Sequence, residues 1–267
     1  MEKRKNYKEI LVGEKMNKSG QLTIFIIVAL VIIVGGILIY FFFPQVGDVF
    51  TGGFNPTSEL RNCIEDDLNE WIDVLSAQGG YMEPEGFIRY KGQNVKYLCY
   101  ISEYHKPCLV QQPFVKNHFE KELNDLIKDK AEACVDELIN NYEKRGYIIS
   151  LNGNVNSSVE IIPKKMDIII EAPMTATKND VTQSFKKFKI SKNSEMYKLL
   201  LLAQSIVDYE STYGDVETMM YTVYYPNLRM HKIKLDDGST VYTLEDVVTK
   251  ERFTFASRGL AWPAGYT

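Results

Sequence analysis

The chain is poor in the residues and motifs that carry catalysis. Its 267 residues include only three histidines and four cysteines. No P-loop, nucleophile elbow, zinc-protease helix or dinucleotide fingerprint occurs in it. The paired glycines of "GGFNP" (52–56) and "QGGY" (78–81) lack the strand-to-helix setting of a phosphate cradle. One run of acids, Glu65, Asp66 and Asp67, falls within a helical pattern and reads as its solvated face. His231 lies in an alternating strand pattern, where a surface position is the default. No catalytic residue, cofactor or resident metal is therefore expected. A basic surplus is missing as well. Taking the six bases and three acids of residues 1–43 from totals of 31 and 35 leaves 25 basic and 32 acidic residues, a net of −7. Such a surface is a poor match for nucleic acid, which wants a basic face. Disorder is excluded too, because 45% hydrophobic and 25% charged residues are globular values.

The longest absence is of charge. Leu22 to Phe43 contains none. Those residues rise about 1.5 Å each and match a hydrocarbon core of about 30 Å. Only Thr23 is clearly polar, Tyr40 stands at the outer end, and Pro44 stops the helix. The nearby bases Lys3, Arg4, Lys5, Lys8, Lys15 and Lys18 all precede the run, and the first after it is Arg61. This bias predicts a cytoplasmic N-terminus, a transmembrane helix over 21–43, a membrane-proximal hinge over 44–56 and an extracytoplasmic domain over 57–267. A cleaved secretory signal fits badly: its apolar core runs 7–15 residues and a small-x-small site follows, which "PQVGDVF" does not supply.

The residues before the run have a second meaning. "KSGQLTIFI" resembles the class III signal of archaeal prepilins and archaellins. There a short basic leader ends in glycine and the cut precedes the apolar segment. The resemblance implies processing at Lys18, Gly20 and Gln21, with Gln21 as first mature residue; counted from Met16, the leader is MNKSG. Two positions depart from that family. Many subunits carry glutamate at the fifth mature position, where this chain has Phe25, and Pro44 with Gly47, Gly52 and Gly53 breaks a helix those subunits continue. The bond Gly20–Gln21 is thus read either as a cut site or as part of an uncleaved anchor. The overall arrangement also resembles that of archaeal envelope proteins with one N-terminal helix.

Cys63, Cys99, Cys108 and Cys134 all fall on the expected outer side, where an even number argues for disulfides. Three connectivities exist. The similar stretches "RNCIEDDLNEW" (61–71) and "EACVDELINNY" (132–142) suggest two packed helices joined by Cys63 and Cys134, leaving Cys99 and Cys108 to close "CYISEYHKPC". The alternative is a zinc site, C-x5-H-x2-C-x9-H, from Cys99, His105, Cys108 and His118, with wider spacing than zinc modules use. "NSS" makes Asn156 an outward-facing glycosylation acceptor, while the sequon at Asn17 lies on the wrong side.

Periodicity predicts helices over 57–78, 114–145, 194–213 and 215–224. It predicts a hairpin over 86–101, strands over 147–152, 157–163, 165–172 and 182–190, and three more near 228–235, 240–248 and 251–257. The fold class is α+β, amphipathic helices with antiparallel sheet. Of 17 tyrosines, five lie in "DYESTYGDVETMMYTVYYP" (208–226), with Met219 and Met220. This segment is expected to line the core, with a few phenols at the rim. The sum is a single-pass envelope protein held in the lipid bilayer, non-catalytic, with a structural, adhesive or interaction role and like subunits or other envelope proteins as partners. A filament subunit processed after Gly20 is the alternative, and an anchored enzyme or ligand-binding domain the next.

Overall fold

Leu60, Ile64, Leu68, Ile72 and Leu75 recur every three or four residues and form the buried stripe of helix α1 (Pro56–Ala77). The computed structural model describes residues 26–35 and 54–260. The chain divides into two compact units, Met1–Asn55 and Pro56–Thr267. In the first, residues 26–35 are helical with exposed apolar side chains, Val31 at 65% and Ile32 at 68%. Among the described residues no helix is long and apolar enough to cross a membrane. Most of the expected 21–43 span lies outside the described residues, as do most of the 44–56 hinge and the processing residues Lys18, Gly20 and Gln21.

In the second unit α1 stops where expected, at Gly79, whose φ of +72° suits glycine. The Gly80 N–H donates to the Leu75 carbonyl at 2.7 Å, taking up an orphan acceptor of the last turn. A hairpin follows, β1 (Phe87–Tyr90) and β2 (Gln93–Tyr100), turned by Lys91 and Gly92 at positive φ. A two-residue strand, β3 (Leu109–Val110), leads into α2 (Val115–Lys144). Phe119, Leu123, Ile127, Ala131, Cys134, Leu138 and Tyr142 are the buried stripe of α2. α1 and α2 run antiparallel, since Glu59 pairs with Arg145 at 2.8 Å, Cys63 with Cys134, and Asp67 with Lys130 at 2.5 Å.

The next strands are β4 (Ile148–Leu151), β5 (Asn156–Ile162), β6 (Lys165–Lys178) and β7 (Val181–Asn193). Here the structure differs from expectation. β6 does not end at Ala172 but continues past Pro173, because a register shift between Glu171 and Met174 absorbs the proline that cannot donate. Asn152-Gly153 turns the chain without making a hairpin. β4 and β5 do not pair with each other; both pair with β6, β5 along its first half and β4 along its second.

Helices α3 (Met196–Tyr213) and α4 (Met219–Tyr224) precede β8 (Leu228–Lys234), β9 (Thr240–Asp246) and β10 (Arg252–Arg258). Strand order in the larger sheet is β1-β2-β10-β9-β8. The expected all-antiparallel sheet is in fact mixed: β10 lies parallel to β2, closing the sheet between the N-terminal hairpin and the C-terminal strands. α1 packs on both β10 and β7, and α3 on β10, so the helices are sandwiched between the two sheets. Phe119 meets Phe253 edge-on at 6.3 Å in this α+β core.

Candidate functional site

In a regular strand, residues three apart point to opposite faces. Tyr97 and Tyr100 of β2 do not. Tyr97 is opposite Ala256 and Cys99 opposite Ser257, so β2 carries one residue more than β10 across this step. The bulge shifts the phase and brings the two rings to 4.9 Å. Between them stands Cys99, whose disulfide with Cys108, Cα–Cα 5.4 Å, closes a loop holding Ser102 and Tyr104. The loop lies tight on the end of β10. A Cβ on Gly259 would stand 3.0 Å from the Cys108 backbone nitrogen and 3.1 Å from its Sγ, so a side chain there would push the loop away.

Arg258 ends β10, opposite Tyr100. Its guanidinium carbon is 5.4 Å from the Tyr104 ring centre and 6.0 Å from that of Tyr100. Nε donates to the Asp237 carbonyl at 3.0 Å and Nη1 to the Ile101 carbonyl. Among the described residues no carboxylate pairs with it. A cleft of about 610 Å³ opens here, lined by Phe87, Lys96, Tyr97, Tyr100, Tyr104 and Arg258 and by Gln111 and Asp237. The Asp237 carboxylate is occupied by Ser239, whose hydroxyl donates at 2.8 Å while meeting the Tyr97 phenol at 2.7 Å. Burial pushes the Tyr97 phenol up, so it stays protonated as a donor in this relay. Lys96 donates to the Glu85 carbonyl and lies over the Tyr81 ring at 5.0 Å; burial lowers its pKa.

The arrangement offers flat aromatic faces, a guanidinium and several hydroxyls. Ser239 is bonded to Tyr97 and Asp237 with no imidazole in the series. The geometry is suited to stacking and to pairing a negative group, not to generating a nucleophile. No family model, curated protein or solved structure matches the chain.

The structure brings Cys63 to Cys134, Cα–Cα 5.9 Å, linking α1 to α2. With Cys99 and Cys108 bonded to each other, their sulfurs are no longer thiolate ligands, which removes the zinc arrangement. His118 stands elsewhere, its ring 3.9 Å from Tyr81 and its Nε2 3.8 Å from Glu122; burial lowers its pKa. Asn156 opens β5 and is exposed, while Ser157 bonds Asn124 at 2.9 Å. The acids of α1 are solvated, Glu65 and Asp66 being exposed.

The tyrosine–methionine segment is a correction. Val216 is buried, but none of the segment's tyrosines or methionines is: no residue of α4 is buried, and Met219, Met220, Val223 and Tyr224 are 57–78% exposed. The reason is the brevity of α4. A six-residue helix has less than two turns, and the sheet beneath is already covered by α3. Sequence reasoning missed Arg258 and Asp237 in the cleft. The signal for that site was three tyrosines, Tyr97, Tyr100 and Tyr104, around one short cysteine loop.

Proposed function

We propose that this chain is a single-pass membrane-anchored envelope protein, and that residues 57–267 are its outward-facing, non-catalytic interaction domain. The observation that carries the reading is that all four cysteines are paired in two disulfides, a state kept in oxidising compartments. The uncharged run before the domain, of which residues 26–35 are helical and exposed, supports the anchor. The clustering of bases before the run supports a cytoplasmic N-terminus. The aromatic cleft and the exposed α4 surface are the contact points such a role needs. The bilayer and other envelope proteins, or like subunits, are its partners.

Protease added outside intact cells is expected to digest the chain beyond Pro44 and leave an N-terminal membrane fragment. Complete protection would overturn the topology. A second reading, a filament subunit, is favoured by the Lys18-Ser19-Gly20-Gln21 pattern alone. N-terminal sequencing separates the two: Gln21 as first residue supports the subunit, and an intact leader removes it.

A further inference from the structure

We infer that the cleft beside the Cys99–Cys108 loop binds a sugar ring bearing a carboxylate, with Arg258 pairing the anion and Tyr100 and Tyr104 stacking on the ring. This rests on reading residues 57–267 as an interaction domain, and names the ligand class of that domain's cleft. Arg258 is only 8% exposed. Removing a guanidinium from water is costly unless an opposite charge compensates it. Two carbonyls satisfy some of its hydrogens but neutralise none of its charge, and among the described residues no carboxylate forms an ion pair with it, although that of Asp237 lines the same cleft. Arg258 lines the cleft, and its planar fork has more donors than the two spent on those carbonyls. That fork matches a carboxylate with two parallel hydrogen bonds.

The walls define the rest of the ligand. Tyr100 and Tyr104 are 37% and 47% exposed, so part of each ring remains open to a partner beside the Arg258 guanidinium. A pyranose presents an apolar face of C–H groups to such rings and hydroxyls around its edge, and Gln111, Ser102 and Asp237 of the lining offer polar groups to them. The cleft volume of about 610 Å³ is in the range of small-ligand sites. A polyanion such as nucleic acid is a worse fit, because residues 44–267 carry 32 acids against 25 bases and the cleft holds one uncompensated guanidinium. The lining carries two cations, Arg258 and Lys96, against one carboxylate, Asp237, and one carboxylate per ring is the charge that this surplus of one matches.

The test is calorimetric titration of the full chain in detergent micelles with a galacturonate trisaccharide and, in parallel, with neutral maltotriose. Saturable binding of the galacturonate, at least tenfold tighter than maltotriose, is expected. Arg258→Gln should weaken it about tenfold or more, as loss of a charge-assisted pair does. Because Arg258 also holds two carbonyls, Tyr104→Ala is the second variant; it sits in an exposed loop and should weaken binding several-fold with an unchanged melting temperature. No binding of galacturonate, equal binding of both sugars, or wild-type affinity in both variants would overturn the inference. The titration does not depend on where the protein sits in the cell. Binding with failed protease digestion would sink the topology alone, and digestion without binding would sink the ligand alone.

Discussion

The two disulfides differ in what they contribute, and the difference is calculable. Cys63–Cys134 spans 71 residues and Cys99–Cys108 spans 9. In the chain-entropy treatment, closing loops of these lengths lowers the entropy of the unfolded chain by amounts worth about 4.4 and about 2.6 kcal/mol at 25 °C. The gap of about 1.8 kcal/mol depends only on the ratio of lengths, so the constant in the expression cancels. Packing works in the opposite direction. Cys99 and Cys108 are both buried, whereas Cys63 is half-buried beside a buried Cys134. Alanine at both ends therefore removes two buried sulfurs from the short loop and one from the long, at up to about 1 kcal/mol each. The Cys63→Ala/Cys134→Ala variant should remain the less stable by about 1 kcal/mol. Urea denaturation reads this directly through Trp71, which is half-buried on α1 about two turns from Cys63. Equal stability of the two variants, or a lower midpoint for Cys99→Ala/Cys108→Ala at equal slope, would refute the loop-length reasoning.

Two further outcomes are expected. Asp167 is fully buried; burial alone would raise its pKa, but Lys189, Ser191 and Lys165 hold its carboxyl down to about 2. Its contribution is present above the ordinary carboxylate value of 3.8 and is lost as pH falls through about 2. Because both lysines are about half exposed, screening leaves it on the order of 1 kcal/mol. Acid unfolding followed by circular dichroism should show Asp167→Asn less stable than wild type at pH 6, with the two converging near pH 2; a constant difference across that window would count against the ion pairs. Gly92 and Gly214 have similar φ, +84° and +87°, but different surroundings. A Cβ at 92 meets nothing within 4 Å, and one at 214 comes within 1.8 Å of Leu260 Cδ1. Gly92→Ala should cost only backbone strain, about 1 kcal/mol, and Gly214→Ala at least twice that in thermal melts. Equal costs would show that Leu260 yields freely.

The helices were legible because each carries its own signal. The stripe Leu60–Leu75 and the stripe Phe119–Tyr142 repeat at helical spacing, and burial follows that spacing. The hairpin β1–β2 was legible because Lys91-Gly92 is a local turn. What was not legible depends on partners distant in sequence. The parallel pairing of β2 with β10 joins Tyr97 to Ala256, and nothing within either strand names the other. The passage of β6 through Pro173 depends on β4 and β5 sharing one side of it. The cleft fails for the same reason. Tyrosine density pointed to residues 208–226, yet the ring cluster with a buried cation forms at 97–104, because a bulge and a strand from the far end of the chain meet there. Where a local rule did mislead, at α4, apolar content was read as burial although the helix is too short to own a core face.

The staple between α1 and α2 has a mechanical consequence. A pull on the chain ahead of Pro56 enters α1 and reaches Cys63 after only its first two turns. There the covalent path jumps to Cys134, so the tension passes into α2 and the segment 64–133 carries none of it. That segment contains β1, β2 and the Tyr100–Tyr104 loop. Stretched out, those spared residues amount to ~240 Å of chain that a tug cannot release while the sulfur–sulfur bond holds. The tyrosine wall of the cleft is therefore out of the line of force, unlike Arg258 on β10, and reduction of one bond would put it back in.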